Sequence, residues 1–270
     1  MLSRYPAYLA LAAIAMGAAP AFAQAQQGAD ELAKQLSNPV ASLISVPLQY
    51  NADFNIGTED GTKQYLNIQP VIPKSISEDW NLITRVIVPV VYQDDIFGDS
   101  GSQFGLGDIT PTLFFSPKKP TASGWIWGAG PVMLLPTASD DLLGSEKWGI
   151  GPSALALKQT AGGWTYGALV NHIWSVAGDD DRADISSTYL QPFLAKQLPG
   201  GRTLSFNLES SYDWKGEKWN VPINVGYSKV TRWGGQMLSL AGGVRYFIET
   251  PGDGPDWGVR FTVTLLYPEH

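Results

Sequence analysis

Six charged residues, Asp53, Arg85, Asp108, Glu209, Arg245 and Arg260, sit in stretches that are otherwise apolar or uncharged. Carboxylates and guanidiniums taken out of bulk water must pair or lose their charge. On one enclosed face they would make a salt-bridged polar core. Around an open passage they would make a constriction that sorts solutes by size and polarity, as rings of charge do in pores. Gln49 and Asn51 fall on the same alternate row as Asp53 and extend that lining.

Other chemistry is thinly supplied. Asp179-Asp180-Asp181 with Asp184 offers oxygen ligands that suit calcium or magnesium, but the spacing matches no EF-hand loop. A solvated acidic loop facing cation-bridged lipopolysaccharide is the simpler reading. His270 is the last residue, His172 lies mid-strand, and no motif marks a nucleophile. Gly105-Leu106-Gly107 and Gly128-Ala129-Gly130 lack the strand-to-helix setting of a phosphate loop and read as close packing or strand bending. No basic patch with interleaved aromatics points to nucleic acid. No catalytic residue, metal site or cofactor is expected.

The elements that must position the six charges are strands. From Ser42 to Ile56 the even positions are Ser42, Ile44, Val46, Leu48, Tyr50, Ala52, Phe54 and Ile56; the odd ones include Ser45, Gln49, Asn51, Asp53 and Asn55. Strand side chains alternate between faces, so one face is apolar and the other wet. The same rhythm predicts strands at 42–56, 64–73, 80–92, 105–116, 125–136, 148–158, 164–175, 185–195, 203–213, 219–229, 237–248 and 257–267. Each is near the ~9 to 11 residues of a tilted membrane strand. An even count suits a single-chain bacterial barrel. The apolar rows from Trp219 to Tyr227 and from Trp257 to Tyr267 begin and end on aromatics, as a lipid face with two interfacial girdles would. The strands at 148–158 and 164–175 alternate poorly. Pro47, Pro70, Pro89, Pro111, Pro131, Pro152, Pro192 and Pro222 fall inside proposed strands and require bulges or locally open pairing.

The N-terminus reads as a secretory signal. Arg4 supplies the positive region, Ala7 to Ala19 the apolar run, and Ala21-Phe22-Ala23 the cleavage site, so the mature chain begins at Gln24. Gln24 to Asn38 has helical spacing, with Asp30 as a cap and Leu32, Ala33 and Leu36 on one face. It is either a linker or a short helix at the periplasmic mouth or in the lumen, where Leu32 and Leu36 would make a plug. No later run approaches the ~18 to 20 apolar residues of a membrane helix. Cysteine is absent and ten tryptophans are present. An exported domain without disulfides must be held by its backbone ladder, and a closed barrel leaves no edge unpaired. The expected organisation is a signal peptide at 1–23, an extension with a short helix at 24–40, and an all-β up-and-down transmembrane antiparallel barrel at 41–270.

The connections carry an independent signal. If the first strand runs outward, the odd-numbered connections lie outside and together carry −12, while the even ones carry +5. An up-and-down meander produces this alternation of sign.

Several segments resemble the bacterial outer-membrane family named for the MetA pathway of phenol degradation. They are Asp30 to Pro39 running into Ser42 to Gln49, Gly105 to Ile109 with Phe114 to Pro117, Gly128 to Pro131 with Leu135 to Ala138, Gly149 to Pro152, Leu169 to Trp174, Gln191-Pro192 and Lys218 to Pro222. The resemblance implies an outer-membrane barrel and passage of small hydrophobic or aromatic compounds. It carries over no catalytic residue, and His172 stands where a glutamine is expected in relatives.

The expected function is a passive channel or transporter in the bacterial outer membrane, probed by small solutes and surrounded by lipid and lipopolysaccharide, acting as a monomer. Hydrophobic solutes would follow the polar lumen or leave through the wall. The alternative is a non-conducting barrel with a structural, adhesive or sensing role. A barrel hydrolase built on His172 is a remote third.

Overall fold

The computed structural model describes residues 27–97 and 100–267; the signal peptide and its cleavage site lie outside them. Residues 27–36 form a helix. The wall then starts with β1 (Ile44–Ile56), β2 (Gly61–Ile68), β3 (Val71–Ser75), β4 (Trp80–Asp94), β5 (Ser102–Leu106) and β6 (Thr110–Pro117). It continues with β7 (Trp125–Leu134), β8 (Lys147–Gln159), β9 (Trp164–Gly178), β10 (Ser186–Leu198) and β11 (Arg202–Leu208). It ends with β12 (Ser210–Asp213), β13 (Lys218–Asn220), β14 (Pro222–Trp233), β15 (Gln236–Phe247) and β16 (Trp257–Tyr267). All pairings are antiparallel, and β16 closes on β1 from Ile44↔Tyr267 to Phe54↔Trp257.

These segments make a closed barrel of twelve wall strands, because four of the predicted strands are each broken once. The breaks are at Gln69-Pro70 between β2 and β3, at 107–109 between β5 and β6, at Glu209 between β11 and β12, and at Val221 between β13 and β14. Three of them face a proline. The carbonyl of Pro47 accepts the N–H of Gln69 at 2.9 Å, that of Pro89 the N–H of Gly107 at 3.0 Å, and that of Pro222 the N–H of Glu209 at 3.1 Å. A proline supplies no donor but keeps its acceptor, so the ladder opens on one side only. The two poorly alternating stretches are both full wall strands, β8 and β9, with a bulge between Trp148 and Gly149.

The burial pattern is inside out. Asn51, Gln93, Thr112, Ser153, Thr165, Asn224 and Arg245 are buried, while Tyr50, Trp127, Trp174, Phe206, Val244 and Phe261 are exposed on the outer face. In lipid that outer face is the solvated one, and the backbone is satisfied within the closed ladder. Aromatics cluster near both ends. At the helix-bearing end Trp80 meets Trp127 edge-on at 5.7 Å, and Trp125 meets Tyr166 at 6.1 Å. At the other end Tyr212 packs on Trp214 and Trp219, both at 4.8 Å, and Phe54 on Trp257 at 4.7 Å.

The N-terminal segment crosses the barrel at one end. Leu32 and Ala33 pack with Leu43, Val230 and Leu266, and Leu36 packs beside them. Val40 then reaches the opposite wall and joins Ile83, Phe114, Leu155, Leu157 and Leu169. Asp30 does not cap the helix as expected, because the chain is already helical at residue 27; its carboxylate accepts the N–H of Gly201 at 2.6 Å instead. Gln159 donates to the carbonyl of Lys34 at 2.8 Å. Gly201 lies in an even-numbered turn and Gln159 borders another, so the helix sits at the basic end of the barrel.

The outer connections are knit together. Asp108 accepts from the N–H and hydroxyl of Ser145 at 2.7 and 2.6 Å and from the N–H of Ala138 at 3.2 Å. Arg182 donates to the carbonyl of Asp141 at 2.8 Å, and Lys147 pairs with Asp184 at 3.4 Å.

Two outcomes are expected. Burying a leucine contributes roughly 1.5–3 kcal/mol, so Leu32→Glu should undock the helix and leave the wall intact. Limited proteolysis should then cut near residues 27–43 in a barrel that still migrates as folded; continued protection would refute the docking. At the outer end, the hydroxyl of Ser175 and the ammonium of Lys147 hold the Asp184 carboxyl below its ordinary 3.8. A carboxyl depressed on folding adds stability above the ordinary carboxylate range and loses it as pH falls through the depressed value. An NMR titration of Asp184 should therefore show a midpoint below 3.8, and Lys147→Met should move it up.

Candidate functional site

Two inward rows of register neighbours build the site. One runs Asn207, Asn224, Arg245, Gly258, Asp53 and Lys63 across β11, β14, β15, β16, β1 and β2. The next runs Ser205, Gly226, Gly243, Arg260, Asn51 and Tyr65. Gly258 stands between Arg245 and Asp53, and a Cβ there would lie 2.3 Å from the Asp53 Oδ1. Its bare backbone lets the Arg245 guanidinium reach across one strand to the carboxylate. Gly226 and Gly243 likewise keep the wall beside Arg260 free of side chains.

Arg245 Nη1 donates to both Asp53 oxygens, at 2.8 and 2.9 Å, and to the Tyr65 hydroxyl, while Nε donates to Asn224 Oδ1 at 3.1 Å. Arg260 holds Glu209 with two parallel bonds of 2.7 and 2.8 Å and donates from Nε to Asn51 Oδ1 at 2.7 Å. Arg245 Nη2 lies 3.9 Å from Glu209, which ties the two pairs together. The Arg245 and Asp53 side chains are 5% and 7% exposed. Burial this deep is tolerable because each charge meets an opposite one at hydrogen-bond distance. Glu209 points inward on the same alternate row as Asn207, at the break between β11 and β12.

The network lies along β11 to β1, and two cavities of about 400 and 420 Å³ adjoin it, one toward the helix and one across the lumen. The first lies above the N-terminal segment and touches Leu36, Pro39, Leu43, Ser205 and Gly243. The second lies farther out, against Tyr65, Ile87, Phe114, Leu169, Ile173 and Tyr189. They share six side chains, Gln49, Gln69, Arg85, Gln191, Asn207 and Arg260, which form the boundary between them. Arg85 Nη2 donates to Gln69 Oε1 at 2.9 Å.

The structure thus gathers Asn51, Asp53, Glu209, Arg245 and Arg260 into one network and puts Gln49 and Arg85 on the boundary. Asp108 stands apart from them, holding an outer loop. Asn55, expected in the lumen row, has φ 61° at the bulge ending β1 and donates to Asp256 at 3.1 Å instead. Lys63 was missed because the second strand was expected to begin at 64. Tyr65 and Tyr189 carry no charge and resemble girdle aromatics; the alternation with Leu66 and with Leu190 is the signal that turns them inward. Gln69 and Gln191 sit beside prolines, where the expected ladder was in doubt.

His172 is on the outer face. Its Nδ1 lies 2.7 Å from the Thr188 hydroxyl, which also accepts from Trp214 Nε1 at 2.8 Å, and its Nε2 lies 3.4 Å from the Ser186 hydroxyl. The acidic run is internally bonded: Asp179 accepts the N–H of Asp181 at 2.8 Å, and Asp184 is held by Ser175 and Lys147. Among the described residues, no group of three or more His, Cys, Asp or Glu side chains is arranged to hold a metal ion.

Among solved structures, the chain is similar to an outer membrane channel from Pseudomonas putida F1, at 15% identity and a TM-score of 0.66, covering 84% of this chain and 96% of that one. It is also similar to the NanC porin, at 8% identity and a TM-score of 0.52, covering 84% of this chain and 100% of that one. At these identities the likeness is one of fold. No curated protein sequence matches the chain. The model of the family described as "Putative MetA-pathway of phenol degradation" matches residues 37–231, so this outer-membrane barrel belongs to that family.

Proposed function

We propose that the protein is a passive outer-membrane channel for small, hydrophobic or aromatic compounds. The observation that carries this reading is the pair of lumenal cavities that meet at six amide and guanidinium side chains. Such a boundary admits a polar group edgewise and excludes bulk. On its outer side Ile87, Phe114, Leu169 and Ile173 offer apolar contact in a lumen that is mostly polar. Residues 27–43 stand in the way at the periplasmic end, and we assign them, with Leu32 and Leu36 as their anchors, the role of a plug. The barrel acts as a monomer, its acidic outer loops facing lipopolysaccharide.

The plug and the arginine network also favour a second reading, a non-conducting barrel. Proteoliposomes and planar bilayers separate the two. The wild-type barrel should give small single-channel currents and take up a small aromatic solute, and a barrel lacking residues 27–41 should conduct several times more. No current and no flux from either protein would sink the channel and leave the non-conducting reading. In the same bilayers Glu209→Gln should shift the reversal potential toward anions. Removing one partner of a buried ion pair costs about 3–5 kcal/mol, so this variant should also unfold at distinctly lower denaturant.

A further inference from the structure

The inward faces around the ion pairs hold more positive than negative charge. Arg85, Arg245, Arg260 and Lys63 face Asp53 and Glu209. Arg245 and Arg260 are consumed by the two carboxylates, and Lys63 stands opposite Asp53 in the register. Arg85 is different. Its hydrogen bond is to the neutral amide of Gln69, and no carboxylate of the described residues lies within 4 Å of it; Glu209 feels its charge but is already held by both bonds from Arg260. A guanidinium always carries its charge and offers a planar fork of donors matched to a carboxylate. Here that fork lines both cavities, on the side of the lumen that the ion-pair network leaves open.

The surroundings restrict what the missing anion can be. The outer cavity, about 420 Å³, carries Phe114, Leu169, Ile87 and Tyr189 beside Arg85. That volume is within the ~300–1,000 Å³ typical of small-molecule sites. A hydrated inorganic anion would leave those apolar walls without contact, and a purely apolar solute would leave the guanidinium without a hydrogen-bonded acid. A compact molecule with one carboxylate on an aromatic or short apolar body satisfies both.

We propose that Arg85, supported by Gln69 and Gln191, is the anion-binding residue of a subsite for small aromatic monocarboxylates, with the ring lying against Phe114 and Leu169. The subsite deepens the channel reading and rests on it for its place in a transport path, but the binding step stands alone. It predicts that acids are held at the boundary while their neutral amides pass without being held.

The test uses the full-length mature barrel in detergent, with fluorobenzoate as the probe and fluorobenzamide as its neutral counterpart, read by fluorine NMR. Benzoate should bind saturably and more tightly than benzamide. Charge-assisted hydrogen bonds are strong, so Arg85→Gln should weaken benzoate about tenfold and erase its preference over benzamide. Because Glu209 keeps both of its bonds to Arg260, removing Arg85 strands no buried carboxylate. Arg85→Lys keeps the charge without the fork and should restore part of the affinity, which a merely structural role for Arg85 would not require. Equal binding of benzoate to wild type and Arg85→Gln, or no preference for the acid over the amide, overturns the subsite. The bilayer experiment distinguishes the two failures. Current without benzoate preference removes the subsite and keeps the channel; benzoate preference without current removes the channel and keeps the subsite.

Discussion

In hydrocarbon there is no water to take up a stray backbone N–H, and each one left over costs several kcal/mol. Everything else in this barrel is arranged around that demand. It forces β16 to close on β1. It turns the usual burial rule inside out, since the wall can be greasy outside and must be filled or hydrated inside. It also explains where the prolines go: Pro47, Pro89 and Pro222 keep their carbonyls engaged at points where the facing strand is already interrupted. Two of the interruptions coincide with bonded carboxylates: Glu209, which faces the lumen, and Asp108, which turns to a loop.

Much of this was legible in the residues, because a period of two is a local property. The alternation around Tyr50 and Asn51 assigns faces without knowledge of any partner strand, and the sign of the connections assigns ends. The pairing of particular charges was not legible. Arg245 reaches Asp53 only because Gly258 lies between them, and register is a relation between strands distant in sequence. The fate of Asp108 was hidden for the same reason: a carboxylate at a strand break can turn to the loop above it as readily as to the lumen. Asn55 shows the limit of the period itself, since one bulge reverses the faces beyond it.

The lumen is divided lengthwise as well as across. At the level of the ion pairs the β11-to-β1 side is packed with charges that act as scaffold, while the facing side, along β2 to β10, is open and partly apolar; nearer the helix the β11-to-β1 side opens as well, into the first cavity. An ion-pair network of this kind is weak evidence for stability, because its gain is set against the desolvation of four charged groups. Its better-supported use is to hold shape: it fixes one half of the cross-section so that the other half keeps a defined width. The helix at residues 27–36 then closes one end with ordinary apolar packing, which is reversible on a scale that ion pairs of this depth are not.

The glycine at the centre of the first row has a meaning for assembly. The β1–β16 seam joins the two ends of the wall and is formed between the most distant segments of the chain. A slip of one residue there would set the faces of the two strands against each other and turn either Arg260 or Asp53 into lipid. A slip of two would preserve the faces but set Arg260 opposite Asp53, in place of a residue whose absent side chain is what lets Arg245 through. Gly258 and Arg260 therefore work as the wards of a lock: only one alignment of the last strand on the first lets Arg245 find Asp53 and Arg260 find Asn51. The seam carries its own proofreading, written in one missing side chain.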